Sequence, residues 1–147
     1  MPLLRPPLYK QEKDNSCLPA CLRMVLAVKG VMLSEKEVRK LCDWSPQGSV
    51  TSSAIVAAAR ALGFLHSYED YGLRLQDLRD ELRSGRFPIV GIDLRAYGQF
   101  GLHAQVAVSV TTRGVRVHDP LLGSFVTGLL VFEQAWSGSE FLTIIVA

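Results

Sequence analysis

Of the side chains able to do covalent chemistry, the most informative lies in Gln11-Glu12-Lys13-Asp14-Asn15-Ser16-Cys17-Leu18-Pro19-Ala20-Cys21. Proline lacks an N–H and clashes with the carbonyl four residues back, so Pro19 belongs in the first turn of a helix. Asn15 and Ser16 are N-cap types just ahead of it. The spacing therefore sets Cys17 at or beside the amino-terminal end of a buried helix. A cysteine nucleophile acts as its thiolate, and an ordinary thiol titrating near ~8.5 is only ~3% ionised at neutral pH. Bringing such a thiol to about 4 takes roughly 6 kcal/mol in favour of the charged form. A helix end supplies about 1 kcal/mol of that, so a cationic partner must supply most of the rest. A reactive Cys17 calls for a histidine.

The chain has three histidines. His66 lies beside Ser67-Tyr68 with no carboxylate-bearing segment in an obvious position. His118 precedes Asp119 on a strand, where neighbouring side chains point to opposite faces. His103 opens the strand His103-Ala104-Gln105-Val106-Ala107-Val108-Ser109-Val110, after a loop, Tyr97 to Leu102, whose two glycines suit a flexible rim. A hairpin around Thr111 to Gly114 returns the chain to Asp119-Pro120. With the turn centred on Thr112, His103 pairs near Leu121, and Asp119 is its diagonal neighbour on the same face at roughly 7–8 Å between backbones. With a tight turn at Arg113-Gly114, the same pairing needs a bulge.

The elements that must position these groups follow from periodicity. Residues 1–10 read as an arm or edge segment, because Pro2, Pro6 and Pro7 disfavour helix, and no periodicity begins before Cys17. Leu18, Cys21, Leu22, Val25 and Leu26 repeat at helical spacing and end at Gly30. Ser34-Glu35-Lys36-Glu37 matches a capping box for a short helix carrying Val38 and Leu41. Thr51 to Ser53 offer N-caps for a third helix with Ile55, Val56, Ala59 and Leu62, closed by Gly63. A fourth runs from about Leu75 to Arg83. Strand-like runs follow at Phe87 to Leu94, His103 to Thr111, Val115 to His118 and Phe141 to Val146. Helices gather early and strands late, which predicts an α+β domain over 1–147 rather than alternating βαβ units.

Composition narrows the function classes. Apolar residues are 48% and charged residues 20% of 147, enough for one core and close to the soluble average. A formal charge of +2 does not announce nucleic acid or an anionic membrane as partner. No run reaches the ~18 apolar residues of a membrane-spanning helix, and the amino terminus lacks the hydrophobic run of a secretory signal. Three cysteines without such a signal predict reduced thiols and a cytoplasmic location.

Gln11, Cys17 six residues on within DNSCLPAC, His103, and the His118-Asp119-Pro120 triplet together resemble the papain-like C39 peptidases. That group includes the domains that remove double-glycine leader peptides from bacteriocins, and the resemblance is to a stand-alone domain. It implies a papain-like fold with amino-terminal helices packed on a carboxy-terminal antiparallel sheet. It also implies a cysteine peptidase with no metal or organic cofactor, acting on a peptide or protein, a leader or precursor among the choices. A partner protein or transporter would be supplied in trans. In that scheme Cys17 is the nucleophile, His103 the general base, and Asp119 the group that orients the imidazole. The Gln11 amide and the Cys17 N–H bind the oxyanion. Such donors are worth about 3–4 kcal/mol each. Leu18 stands where the family commonly has glycine, and its bulk narrows the cleft or alters approach.

Other readings stay open at this level. The same fold can carry acyl transfer, since hydrolase and transferase share the thioester step. A non-catalytic peptide-binding module would keep the fold without the chemistry. A zinc site built on Cys17, Cys21 and one or two histidines is a weaker competitor, for want of a second cysteine pair. Cys21 and Cys42 fit apolar helix faces as small hydrophobes, and His66 and His118 read as structural.

Overall fold

In the computed structural model, which describes residues 4–147, the stripe that starts at Leu18 forms α1 (Cys17–Val28). Pro19 is its third residue, where no helical hydrogen bond is lost. Cys21, Leu22, Val25 and Leu26 are buried. Gly30 leaves the helix at φ +82°, a conformation that costs glycine little. Residues 1–3 of the expected arm, Pro2 among them, lie outside the described residues.

α2 (Glu35–Leu41) begins with the capping box read from sequence. Ser34 Oγ accepts the Glu37 N–H at 3.1 Å, and the Glu37 carboxylate accepts the Ser34 N–H at 3.2 Å. α3 (Ser52–Ala61) is capped by Thr51, whose Oγ1 accepts the Ala54 N–H at 3.1 Å. α4 spans Leu75–Arg83, as the pattern predicts.

Six strands form one antiparallel sheet. They are β1 (Tyr68–Asp70), β2 (Ile89–Asp93), β3 (Leu102–Thr111), β4 (Gly114–Asp119), β5 (Gly123–Thr127) and β6 (Thr143–Ile145), in the order β1-β6-β2-β3-β4-β5. β1 and β5 are not among the strands read from sequence, and neither is α5 (Leu129–Ser137). Each rests on tertiary partners instead of local signal. β1 is Tyr-Glu-Asp held by pairing with β6, and α5 starts at Gly128 with no side-chain cap yet buries Phe132, Ala135 and Trp136. α5 also breaks the early-helix, late-strand division.

The sheet separates two apolar clusters. Ala104, Val106 and Val108 of β3 join α1, Val38 of α2 and Ile55, Ala58 and Ala59 of α3 in one. Val90 and Ile92 of β2, Val117 of β4 and Phe132 and Trp136 of α5 form the other. Alternate strand residues thus face opposite layers.

The β3–β4 hairpin sets the register that matters. Thr111 pairs with Gly114 across a two-residue connection, followed by Val110 with Val115 and Ser109 with Arg116. Between Ala107 and Ser109 the register shifts, so Ala107 meets Val117 and Val106 meets His118. Val108 is the extra residue of a β-bulge. A tight turn and a bulge are thus both present.

Glycine geometry yields a contrast in stability. Gly114 has φ +145°, and a Cβ there would lie 2.1 Å from the Thr127 carbonyl oxygen, a backbone atom that cannot step aside. A Cβ at Gly30 would meet nothing within 4 Å. Gly114→Ala is expected to cost about 3 kcal/mol or more and Gly30→Ala about 1 kcal/mol, as read by denaturant unfolding.

Candidate active site

Asp119 ends β4 with none of its surface exposed. A buried carboxylate is costly unless its oxygens are filled, and here both are. Oδ1 accepts His103 Nε2 at 2.7 Å and the Leu121 and Leu122 N–H groups at 2.8 and 2.9 Å. Oδ2 accepts Gln105 Nε2 at 2.8 Å. Burial pushes the Asp119 carboxyl up, but the hydrogen bonds from His103 and Gln105 and the His103 charge outweigh it, leaving the group below the ordinary 3.8.

The bulge creates this arrangement. Continued without it, the register of the hairpin tip would set Asp119 opposite Val106 instead of Gln105. With Val106 opposite His118, one further step sets Asp119 opposite Gln105 and diagonal to His103. That is the diagonal relation required by the turn centred on Thr112, reached from a two-residue turn by way of the bulge.

With Nε2 on Asp119, the second ring nitrogen of His103 is left for Cys17. Burial works against a charged ring. The hydrogen bonds to Asp119 and to the Cys17 sulfur, with the charges of both, outweigh it and hold His103 up at about 9. Cys17 is the first residue of α1 and half-buried, the position expected for it. Cys17 and His103 share a hollow of about 410 Å³ with Leu18, Gly91, Leu102 and Leu142 in its wall. Leu18 thus brings its bulk to the cleft itself.

The loop before Cys17 is held by side chains that the sequence reading did not single out for this task. Ser16 is the N-cap residue but makes no capping bond. Its Oγ accepts the Lys13 N–H at 3.0 Å and donates to Glu35 Oε1 at 3.2 Å. Glu35, fully buried, also accepts the Glu12 N–H at 2.9 Å and Arg39 Nε at 2.9 Å. Asn15 is a latch instead of a cap: Nδ2 donates to the carbonyls of Ser45 (3.0 Å) and Gly48 (2.6 Å), and Oδ1 accepts Trp44 Nε1 at 2.9 Å. It fixes the segment leading to Ser49 and Val50 on the pocket wall.

Gln11 is tied to this loop. Its backbone N–H donates to the Pro120 carbonyl at 2.8 Å, beside Asp119. Its Nε2 donates to the carbonyls of Lys13 at 2.8 Å and Asp14 at 3.2 Å, leaving Oε1 buried without a partner among the described residues. In this arrangement both amide hydrogens go to backbone carbonyls, so binding an oxyanion requires one of them to be released.

The remaining thiols and imidazoles lie elsewhere. Burial pushes the Cys21 thiol well up, with the Cys17 and Asp119 charges adding to it, and pushes Cys42 up to about 12. Cys42 Sγ donates to the Val38 carbonyl at 3.0 Å. His66 is exposed. His118, pushed down by burial, has its Nδ1 buried and unpartnered among the described residues. Among those residues no three His, Cys, Asp or Glu side chains come together as a metal site, and no helix is long and apolar enough to cross a membrane. Gln105 is the neighbour of Asp119 that the sequence reading missed, though a lone amide two residues after His103 in an apolar strand is a signal for it.

Solved structures share the fold. A C39-like peptidase from Bacillus anthracis superposes with a TM-score of 0.80 at 16% identity, over 99% of this chain and 96% of that one. The peptidase domain of Streptococcus ComA, a bi-functional ABC transporter of a quorum-sensing pathway, gives 0.74 at 24% identity, over 93% and 94%. A double-glycine-motif protease from an AMS/PCAT transporter, solved with its leader peptide, gives 0.71 at 21%, over 98% and 92%. The architecture is the papain-like one of C39 peptidase domains. An uncharacterized protein of Methanothermobacter thermautotrophicus is 30% identical over 132 residues, 90% of this chain and 84% of that protein. The model of the peptidase C39 family matches residues 5–145, and the chain belongs to that family.

Proposed function

We propose that the chain is a cysteine peptidase that hydrolyses a peptide bond through Cys17, His103 and Asp119. The observation that carries this reading is the 2.7 Å bond from His103 Nε2 to a fully buried Asp119, with Cys17, at a helix start, lining the same hollow as the ring.

The Cys17 thiolate adds to the carbonyl carbon of the scissile bond, and the carbonyl oxygen takes the negative charge. The Cys17 N–H, in the first turn of α1 and without a partner among the described residues, donates to that oxygen. The Gln11 amide joins it by leaving the Asp14 carbonyl, the longer of its two bonds. As the oxyanion collapses, the C–N bond breaks and the His103 imidazolium gives its proton to the leaving amine. A thioester to Cys17 remains. Water then attacks, giving a proton back to His103, and collapse expels the Cys17 thiolate and releases a carboxylic acid that ionises in solvent. Asp119 keeps the Nε2–H in place throughout.

The substrate we infer is a peptide, with a leader or precursor favoured by the relatives that carry leader-peptide and transporter associations. Three free cysteines fit a reducing, cytoplasmic setting.

Iodoacetamide labelling across pH, read for each cysteine by mass spectrometry, tests the ion pair. Cys17 is expected to react well below pH 7 and to lose that advantage in His103→Ala, while Cys21 and Cys42 stay unreactive in the fold. Equal, slow labelling of all three cysteines overturns the reading. Cys17→Ala and His103→Ala are each expected to abolish cleavage of a double-glycine leader peptide without unfolding the protein. Asp119→Asn reduces cleavage less. The three donors on Oδ1 still meet an oxygen in asparagine and the Gln105 amide can turn Oε1 towards the new NH2, so the loss is that of the charge in these bonds, about 1–3 kcal/mol in stability.

Stability should follow the same charges. His103 at about 9 lies above its ordinary 6.5, so its contribution is complete below 6.5 and is lost as pH rises through about 9. Asp119 lies below 3.8, so its contribution is present above 3.8 and is lost as pH falls through the lowered value. Denaturant midpoints measured against pH should fall on both sides of a plateau, and Asp119→Asn should flatten both limbs.

A further inference from the structure

Gln105 lies two residues beyond His103 in β3, with none of its surface exposed, between Ala104 and Val106. As packing alone it is a poor choice. Its Oε1 is buried with no partner among the described residues, a penalty that an apolar side chain of the same length would not carry. Its other polar atom, Nε2, donates at 2.8 Å to Asp119 Oδ2, and that oxygen has no other side-chain partner among the described residues.

The geometry gives this bond a specific task. Three donors converge on Oδ1: the His103 ring and the N–H groups of Leu121 and Leu122. Turning about the Cβ–Cγ bond would carry Oδ1 off those three donors and swing Oδ2 through the same angle. A donor on Oδ2 resists the same turn from the other oxygen, so the carboxylate is held at two points. The direction of Oδ1 then fixes the Nε2–H axis, and the ring has one orientation towards Cys17. The bulge at Val108 that sets Asp119 diagonal to His103 also sets it opposite Gln105.

We propose that Gln105 is a positioning residue for the reaction inferred above, on which this assignment rests: by holding Oδ2 of Asp119 it braces the carboxylate against turning, and through it the His103 ring against Cys17. The residue acts through the acid, and its side chain also lies within hydrogen-bond reach of the Tyr97 hydroxyl.

The test uses the full chain and no peptide substrate. Gln105→Met keeps length and apolar bulk and removes the donor. Gln105→Glu keeps the shape, and it donates to Oδ2 only while its own carboxyl is protonated. Cys17 alkylation by iodoacetamide is followed from pH 4 to 9, with circular dichroism as the control for folding. In Gln105→Met the acid limb of the Cys17 profile is expected to move up by about one pH unit, with a rate about ten-fold lower at pH 5. In Gln105→Glu the rate at pH 5 is restored, and the restoration is lost as pH rises and the shared proton leaves two facing carboxylates. A residue that only filled space would shift neither profile.

If the parent reacts at low pH through His103 while Gln105→Met superimposes on it, the positioning role is overturned and the peptidase reading stands. If the parent itself shows no His103-dependent reactivity, both fall. Should Gln105→Met fail to fold, Gln105→Glu decides alone: a profile superimposing on that of the parent overturns the role, and an added ionisation supports it.

Discussion

One surplus residue in a strand governs the rest of this structure. Sheet side chains alternate with a period of two, so a one-residue change in pairing moves a side chain to the opposite face. Val108 provides that change between the tip of the β3–β4 hairpin and its far end. Because of it, Asp119 meets His103 and Gln105 in place of Val106. A fully buried carboxylate facing Val106 would have no donor there, and its desolvation would cost several kcal/mol. The fold and the proposed chemistry share one register requirement.

The partner of this assembly arrives from the opposite half of the chain. Cys17 owes its place to a short rigid loop in which Ser16, Glu35 and Arg39 satisfy one another and Asn15 grips the segment after α2. Arg39 also stacks 4.9 Å from the Trp44 ring, whose N–H closes the circuit on Asn15. The Gln11 backbone then joins the loop to Pro120, one residue past the acid. The cleft lies where a helix start pinned by polar contacts meets a sheet end pinned by a carboxylate.

Much of this could be read from the residues. The helix beginning near Cys17, the capping box at Ser34, the third and fourth helices and four of the strands all carry strong local signals: a proline in the first turn, capping side chains, apolar periodicity, glycines at the ends. The order Gln11, Cys17, His103, Asp119 pointed to the family to which the chain belongs. What could not be read depends on contacts distant in sequence. β1 is a three-residue strand of polar type whose conformation is imposed by β6. α5 follows a glycine and draws its stability from Trp136 and Phe132 in the second cluster. The hairpin could be narrowed to two alternatives but not decided, because turn residues fix the tip and leave a bulge further down unmarked. Asn15 and Ser16 looked like caps by type, and only the Glu35 carboxylate and the carbonyls of Ser45 and Gly48 direct them elsewhere. Gln11 illustrates the same limit: its spacing from Cys17 is visible, while the carbonyls competing for its amide are not.

The two deeply buried thiols have a consequence for life in the presence of peroxide. Cys17 is the half-exposed sulfur and the natural first target of an oxidant, with Cys21 one helical turn on. Residues four apart in a helix hold their Cβ atoms about 5–6 Å from each other, whereas a disulfide wants about 3.5–4.5 Å. Unless the first turn of α1 unwinds, a sulfenic acid at Cys17 cannot be resolved by Cys21, and Cys42 belongs to the core behind α2. Recovery from oxidation therefore falls to small thiols that reach the sulfur through the same opening as the substrate.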